Sequence, residues 1–219
     1  MTTASDDYLK TIFHLTRGSL RAGTKDIADM LHISQASVSA MLQKLAIATP
    51  PLVDYRKHAG ATLTSHGERR ALEVIRHHRL LETFLFRTLG YSWDEVHEEA
   101  CRLEHVISEH FEERLAHFLG NPTHDPHGDP IPDGDLNMST PALTQLSELQ
   151  PGDHATIRRV SDTDPDLLRY LGVRAVLPDR RIFVMQRSEY DHILTLRVEG
   201  RKERVMLGPL VTQRIYVET

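Results

Sequence analysis

Cysteine is nearly missing from this chain. Cys101 is the single one among 219 residues, which excludes an internal disulfide framework and any four-cysteine zinc module within one chain. No stretch approaches the roughly eighteen consecutive apolar residues that a membrane span needs. The opening MTTASDDYLK has no basic region followed by an apolar one, so no secretory leader is expected. There is no G-x-S-x-G elbow, no G-x-x-x-x-G-K-[ST] loop and no G-x-G-x-x-G turn. His97-Glu98-Glu99-Ala100-Cys101 lacks the second histidine of H-E-x-x-H. Internal repeats and low-complexity tracts are also lacking. These absences point to a cytoplasmic protein that is not an enzyme, and a hydrophobic content of 40% is ordinary for a soluble globular chain.

The net charge of −5 excludes a general nucleic-acid coat, but it is unevenly spread. Residues 1–70 carry nine Lys/Arg against six Asp/Glu, and the remainder seventeen against twenty-five. A basic first third on an acidic body fits one module that touches phosphate while the rest does something else. Eight of the fourteen histidines fall between His77 and His127, in acidic company. That composition suits divalent-metal sites as well as solvated helices.

Hydrophobic spacing predicts a helix over Asp6–Thr16 capped by Ser5, a second over Thr24–Leu31 capped by Thr24, and a third over Gln35–Leu45 capped by Ser34. Leu52–Tyr55 and Ala61–Thr64 read as a hairpin. Three helices followed by a two-stranded wing is the order of a winged helix-turn-helix. Its third helix would present Ser34, Gln35, Ala36, Ser37, Ser39 and Gln43 to the major groove of double-stranded DNA, and Arg56 and Lys57 would sit at the wing tip. Residues 66–119 are strongly helical with a break near Gly90. A helix starting at Ser92 or Asp94 would continue to about Leu119. Residues 120–153, crowded with Pro and Gly, read as a linker, and the metal-like run His124-Asp125-Pro126-His127-Gly128-Asp129 is set aside with it. From His154 onward five short alternating strands predict a small β-barrel.

On one continuous helix, at about 100° per residue, His97, Cys101, Glu104 and His105 fall within a sector of roughly 100° that borders the apolar face. A thiolate, a carboxylate and imidazoles there make a plausible cation cage. His78 and Glu82, at i and i+4 upstream, form a second half-site. Any one of these histidines, or a lone cysteine, is more often ordinary packing or surface. It is their shared stripe that points to metal.

With VHEEACRLEHVIS (96–108), HHRLLETFL (77–85), PHGDPIP (126–132) and DTDPDLLRYL (162–171), the chain resembles the diphtheria-toxin-repressor family of iron- and manganese-responsive bacterial regulators. The resemblance implies a mainly α fold with small β parts. Its modules would be a winged helix-turn-helix DNA reader (1–70), a helical dimerisation and metal-binding domain (71–140) and a C-terminal SH3-like barrel (151–219). It also implies a homodimeric, metal-dependent transcriptional repressor that binds a palindromic operator and controls metal-homeostasis genes. By the same resemblance, Asp7, Cys101, Glu104 and His105 form a regulatory metal site. His78, Glu82 and His97 form an ancillary one, completed from the barrel by Asp162 or Asp164. Iron-type members have Met where Asp7 stands and Cys at Cys101. Manganese-type members have Asp at the first, often Glu at the second, and another Glu in place of Lys10. Asp7 is the harder donor, so Mn²⁺ is the expected ion, with Fe²⁺ the alternative and other divalent metals admissible in vitro. The chain is also three residues longer around Thr49-Pro50-Pro51. Two rival readings are a metal-independent winged-helix regulator with an organic effector, and a metal-dependent hydrolase using Glu98 as base.

Overall fold

The computed structural model describes residues 2–16, 21–139 and 141–219. Met1, in the opening segment, and Thr140, in the stretch read as a linker, lie outside the described residues. The chain divides into two compact units. One comprises Met1–His78, Leu103–Glu109 and Pro132–Asn137; the other comprises Arg79–Arg102, His110–Ile131 and Met138–Thr219. Among the described residues no helix is long and apolar enough to cross a membrane.

The first unit opens with α1 (Thr3–Thr16), which buries Tyr8, Leu9, Ile12 and Phe13 along one face. The helix starts earlier than its sequence predicts. Ser5 is therefore no cap but a buried residue inside the first turns, its hydroxyl 2.9 Å from Thr2 Oγ1. In α2 (Thr24–Leu31) the cap position falls to Gly23, with no side-chain bond, instead of Thr24. His32, at φ 55°, closes that helix in the left-handed region, and Ile33 N donates to Ala28 O at 3.0 Å. This reversal leads into α3 (Gln35–Ala46), where the Ser34 side chain accepts from Ser37 N as predicted. Val38, Leu42 and Leu45 bury its inner face. The wing is an antiparallel hairpin, β1 (Val53–Arg56) and β2 (Gly60–Leu63), in register Val53↔Leu63 to Arg56↔Gly60.

α4 (Ser65–Leu89) contributes Ala71, Val74 and Ile75 to the first unit's buried residues, and the division between units falls after His78. The next helical stretch departs from expectation. Instead of one helix to Leu119, α5 (Val96–Leu103) stops, 104–106 forms a turn, 107–108 is irregular, and α6 (Glu109–Phe118) starts afresh. The Glu104 carbonyl, which a continuing helix would bond to the amide of Ser108, instead accepts from His77 Nδ1 at 3.0 Å. The β-branched pair Val106-Ile107 also disfavours continuation. A single stripe running from His97 to His105 therefore does not exist.

In the second unit, β4 (His154–Val160), β5 (Arg181–Arg187), β6 (Leu194–Val198), β7 (Val205–Leu207) and β8 (Ile215–Glu218) are the five expected strands. The two-residue β3 (Thr144–Gln145) adds a sixth. They form one antiparallel sheet in the order β3-β8-β4-β5-β6-β7, the SH3-like part of the fold. Alternate residues such as Ile157, Val184, Leu194, Leu196, Ile215 and Val217 point into one core. It is closed by Leu168 and Leu171 of α7 (Pro165–Val173) and by Trp93. A four-residue helix, α8 (Pro209–Thr212), precedes β8. The segment read as a linker is partly interior: Asp125 and His127 are buried, and Val160 N donates to His127 O at 2.9 Å.

Candidate metal centres and nucleic-acid surface

Gln35, Ala36, Ser37 and Gln43 are exposed on the outer side of α3 and Ser39 is half-exposed, opposite the buried Val38 and Leu42. Ser34 spends its hydroxyl on the cap, 3.1 Å from Ser37 N. Arg56 and Lys57 are exposed at the wing, Arg56 lying 3.5 Å from Asp54.

The first donor group gathers Asp7, Glu104 and His105, each offering an atom within 4.8 Å of the others. His105 Nε2 lies 3.1 Å from Asp7 Oδ1 and 3.2 Å from Glu104 Oε1. His105 Nδ1 is buried without a hydrogen-bond partner. Asp7 comes from α1 and the other two from the 104–106 turn. The broken helix is thus what brings them to α1. Glu104 Oε2 also lies 2.5 Å from His78 Nδ1, and Lys10 Nζ stands 2.6 and 2.9 Å from the two Glu104 oxygens. Burial pushes the Glu104 carboxyl up, but His78 and Lys10 together outweigh it and hold it down at about 2. Asp7 goes the other way: burial lifts it, and His105 and Lys10 offset this only in part. Beside the group, Arg70 clamps Asp6 through two bonds of 2.8 and 2.9 Å.

The second donor group centres on Glu82, which is fully buried. His97 Nδ1 lies 3.2 Å from Glu82 Oε1 and 3.5 Å from Asp162 Oδ2, and His127 Nδ1 lies 3.8 Å from Glu82 Oε2. Asp125 joins Glu82 and His127 within 4.8 Å. Cys101 Sγ is 3.7 Å from His97 Nε2. Asp164 is absent from both groups: it caps α7, accepting from Leu167 N, and pairs with Arg214 at 2.8 Å.

His127 and Asp125 are the residues that the linker reading passed over. The signal lay in the run Asp-Pro-His-Gly-Asp, an Asx-type turn in which Asp125 Oδ1 accepts from His127 N at 2.8 Å and Asp129 N at 3.0 Å. Gly128 sits at φ +89° with its α-carbon pressed on the Arg158 carbonyl, where a Cβ would lie 1.8 Å from that oxygen. His127 Nε2 donates to Trp93 O at 2.6 Å, which turns Nδ1, buried and without a hydrogen-bond partner, towards Glu82. Metal-binding histidines are held by the other ring nitrogen in this same way. Desolvation lowers the His127 imidazole, yet Glu82 and Asp125 outweigh it and lift it to about 9. Burial also disfavours the charged His97, but Asp162, Cys101 and Glu82 raise it to about 12. Asp125 is pushed well up by burial and by the charge of Glu82. Asp125 Oδ2 and His127 Nδ1 are buried without a hydrogen-bond partner, and the Arg79 guanidinium lies 3.7 Å from Asp125 Oδ2 and 3.3 Å from Asp129 Oδ1.

Three family models match successive parts of the chain. They are an iron-dependent repressor N-terminal DNA-binding domain over residues 1–61, an iron-dependent repressor metal-binding and dimerisation domain over 64–133, and a FeoA domain over 144–219. The iron-dependent repressor IdeR of Mycobacterium leprae (strain TN) is 34% identical over 189 residues, 81% of each chain. This chain belongs to the diphtheria-toxin-repressor family. That family comprises metal-dependent, DNA-binding transcriptional repressors. A solved manganese-dependent transcriptional repressor in complex with manganese is 40% identical, with a TM-score of 0.87 covering 98% of this chain and 99% of that one. ScaR with bound Cd²⁺ follows at 33% identity and TM-score 0.81, covering 98% and 99%. The repressor profile for metal binding and dimerisation contains Glu82, His97, Cys101, Glu104, His105, Asp125 and His127, while Asp7 and Asp162 fall in the flanking modules.

Proposed function

We propose that the chain is a cytoplasmic, homodimeric repressor, not an enzyme, that binds a palindromic operator when loaded with Mn²⁺ and controls metal-ion homeostasis genes. Its modules are the reader (1–70), the dimerisation and metal-binding domain (71–140) and the barrel (151–219). Asp7, Glu104 and His105 hold one ion, with His78 orienting Glu104. Glu82, His97, Asp125, His127 and Asp162 hold another, with Cys101 beside His97; Asp164 belongs to the helix cap. The observation that carries this reading is the buried, unpartnered Nδ1 of His127 facing Glu82 while its Nε2 is fixed by Trp93 O. Both groups are rich in carboxylate and imidazole, a donor set that suits Mn²⁺, with Fe²⁺ next.

A divalent ion supplies positive charge to carboxylates that otherwise repel. The rest is done by the chain. Asp7 lies on α1 of the reader, so whatever draws it to Glu104 and His105 fixes that helix and favours one arrangement of the reader over others. Gln35, Ala36, Ser37, Ser39 and Gln43 then meet base edges, and Arg56 and Lys57 meet phosphates. The test is selection from a random duplex library with Mn²⁺ or with chelator. A palindrome enriched by Mn²⁺ and released by chelation is expected. Equal affinity under both conditions would falsify metal gating.

A further inference from the structure

Glu104 is 1% exposed, and a lysine reaches it from within the chain. Lys10, one helical turn after Asp7 on α1, has a side chain only 18% exposed, and its ammonium contacts both Glu104 oxygens. This ammonium is therefore a positive charge placed directly on the Glu104 carboxylate, beside His78. We propose that Lys10 is a built-in competitor for the cation at the Asp7–Glu104–His105 group. It neutralises Glu104 in the metal-free protein and sets how much free divalent metal is needed to fill the group. The inference rests on the proposed assignment of that group as a metal site.

The physical case has two parts. A carboxylate buried this deeply needs a charge or several donors beside it, and Lys10 with His78 supplies them when no metal is bound. A divalent ion taken up by Asp7, Glu104 and His105 then meets a fixed cation a few ångströms away, where screening is weak, so affinity falls unless the ammonium withdraws. Lysine suits such an exchange: its charge is a compact point on a flexible four-carbon stem, and the solvent-facing fraction of the side chain gives it a way out. A permanent clamp is built differently, as the bidentate Arg70–Asp6 pair next to it shows.

The experiment is calorimetric titration of the full chain with Mn²⁺, in a Glu82→Gln background that disables the second group. Lys10→Gln and Lys10→Met are expected to tighten the remaining site about tenfold or more, whereas Lys10→Arg, which keeps the charge, stays near the parent value. Melting in chelator should be lower for the neutral variants than for the parent, and saturating Mn²⁺ should close that gap. A purely structural lysine predicts lower melting with and without metal and no gain in affinity. Neutral variants whose affinity lies within about twofold of the parent, or below it, overturn the proposal. If Asp7→Ala leaves the parent isotherm unchanged, the ligand assignment fails first and this inference fails with it.

Discussion

At His127 the imidazole is wired from one side only, with Nε2–H on the Trp93 carbonyl and Nδ1 turned to Glu82 and Asp125. His127→Ala is therefore expected to remove one Mn²⁺ equivalent, or weaken it by roughly 10- to 100-fold, and to leave the Asp7 group's binding intact. Metal counting after dialysis checks this, and full retention of both equivalents would reassign His127 to packing. Protons occupy the same nitrogens. In the metal-free protein His127 is lifted to about 9 and His97 to about 12, so both hold a proton at neutral pH that a cation must displace. Mn²⁺ affinity at this group should rise as pH climbs from about 6 towards 9, and the binding heat should depend on the buffer's ionisation enthalpy. The metal-free fold should move oppositely. A histidine whose folded pKa is raised stabilises fully below its unfolded value of about 6.5, and that stabilisation is lost as pH rises through about 9. Identical heats in phosphate and Tris, with a melting point flat in pH, contradict this account.

Among the elements, α3 and the Asp125–Asp129 turn are held by single features that substitution can remove. The α3 N-terminus depends on Ser34 Oγ accepting from Ser37 N. Ser34→Ala should cost about 1 kcal/mol of stability and fray the N-terminal end of the proposed recognition helix. Denaturant titration and DNA affinity should both register it. At Gly128 an added methyl meets the Arg158 carbonyl at 1.8 Å, in a φ that side chains rarely adopt. Gly128→Ala is expected to cost more than about 1 kcal/mol and to loosen the second metal equivalent by displacing His127, with the first left in place. A variant as stable as the parent and with both equivalents would show that the turn tolerates the shift.

For the molecule as a whole, α4 and α6 carry large exposed apolar side chains: Phe86 is 43% exposed, Leu89 56%, Phe111 47% and Phe118 67%. Phe111 and Phe118 are seven residues apart, on one side of α6. Exposed aromatics of this size in the region matched by a dimerisation profile fit a face covered by a second copy. Phe118→Glu is expected to shift the protein towards monomer in analytical ultracentrifugation and to weaken binding to the proposed palindromic operator, which would engage two readers. The folded monomer's metal content should stay unchanged. A dimer as tight as the parent's would place the interface elsewhere.

The sequence alone was enough for the elements of the reader and the five main strands, and it named the donors of the two groups except Asp125 and His127. Those features are local: caps such as Ser34, alternation in the strands, and 3.6-residue spacing in α1 to α4 act within a few positions. It misplaced what depends on distant partners. Ser5 lost its cap because α1 gained a turn, and Thr24 lost its own to Gly23. The helix expected through Glu104 broke where His77 takes the Glu104 carbonyl and α1 approaches with Asp7 and Lys10. His127 and Asp125 looked like linker because Pro and Gly density reports backbone irregularity, and an irregular segment can be interior when its polar groups find partners, as Asp125 Oδ1 and Trp93 O provide here. Spacing along one helix can nominate donors. Only the tertiary structure decides which of them meet, because a metal-sized cluster is made from elements far apart in the chain whose side chains are brought together by burial.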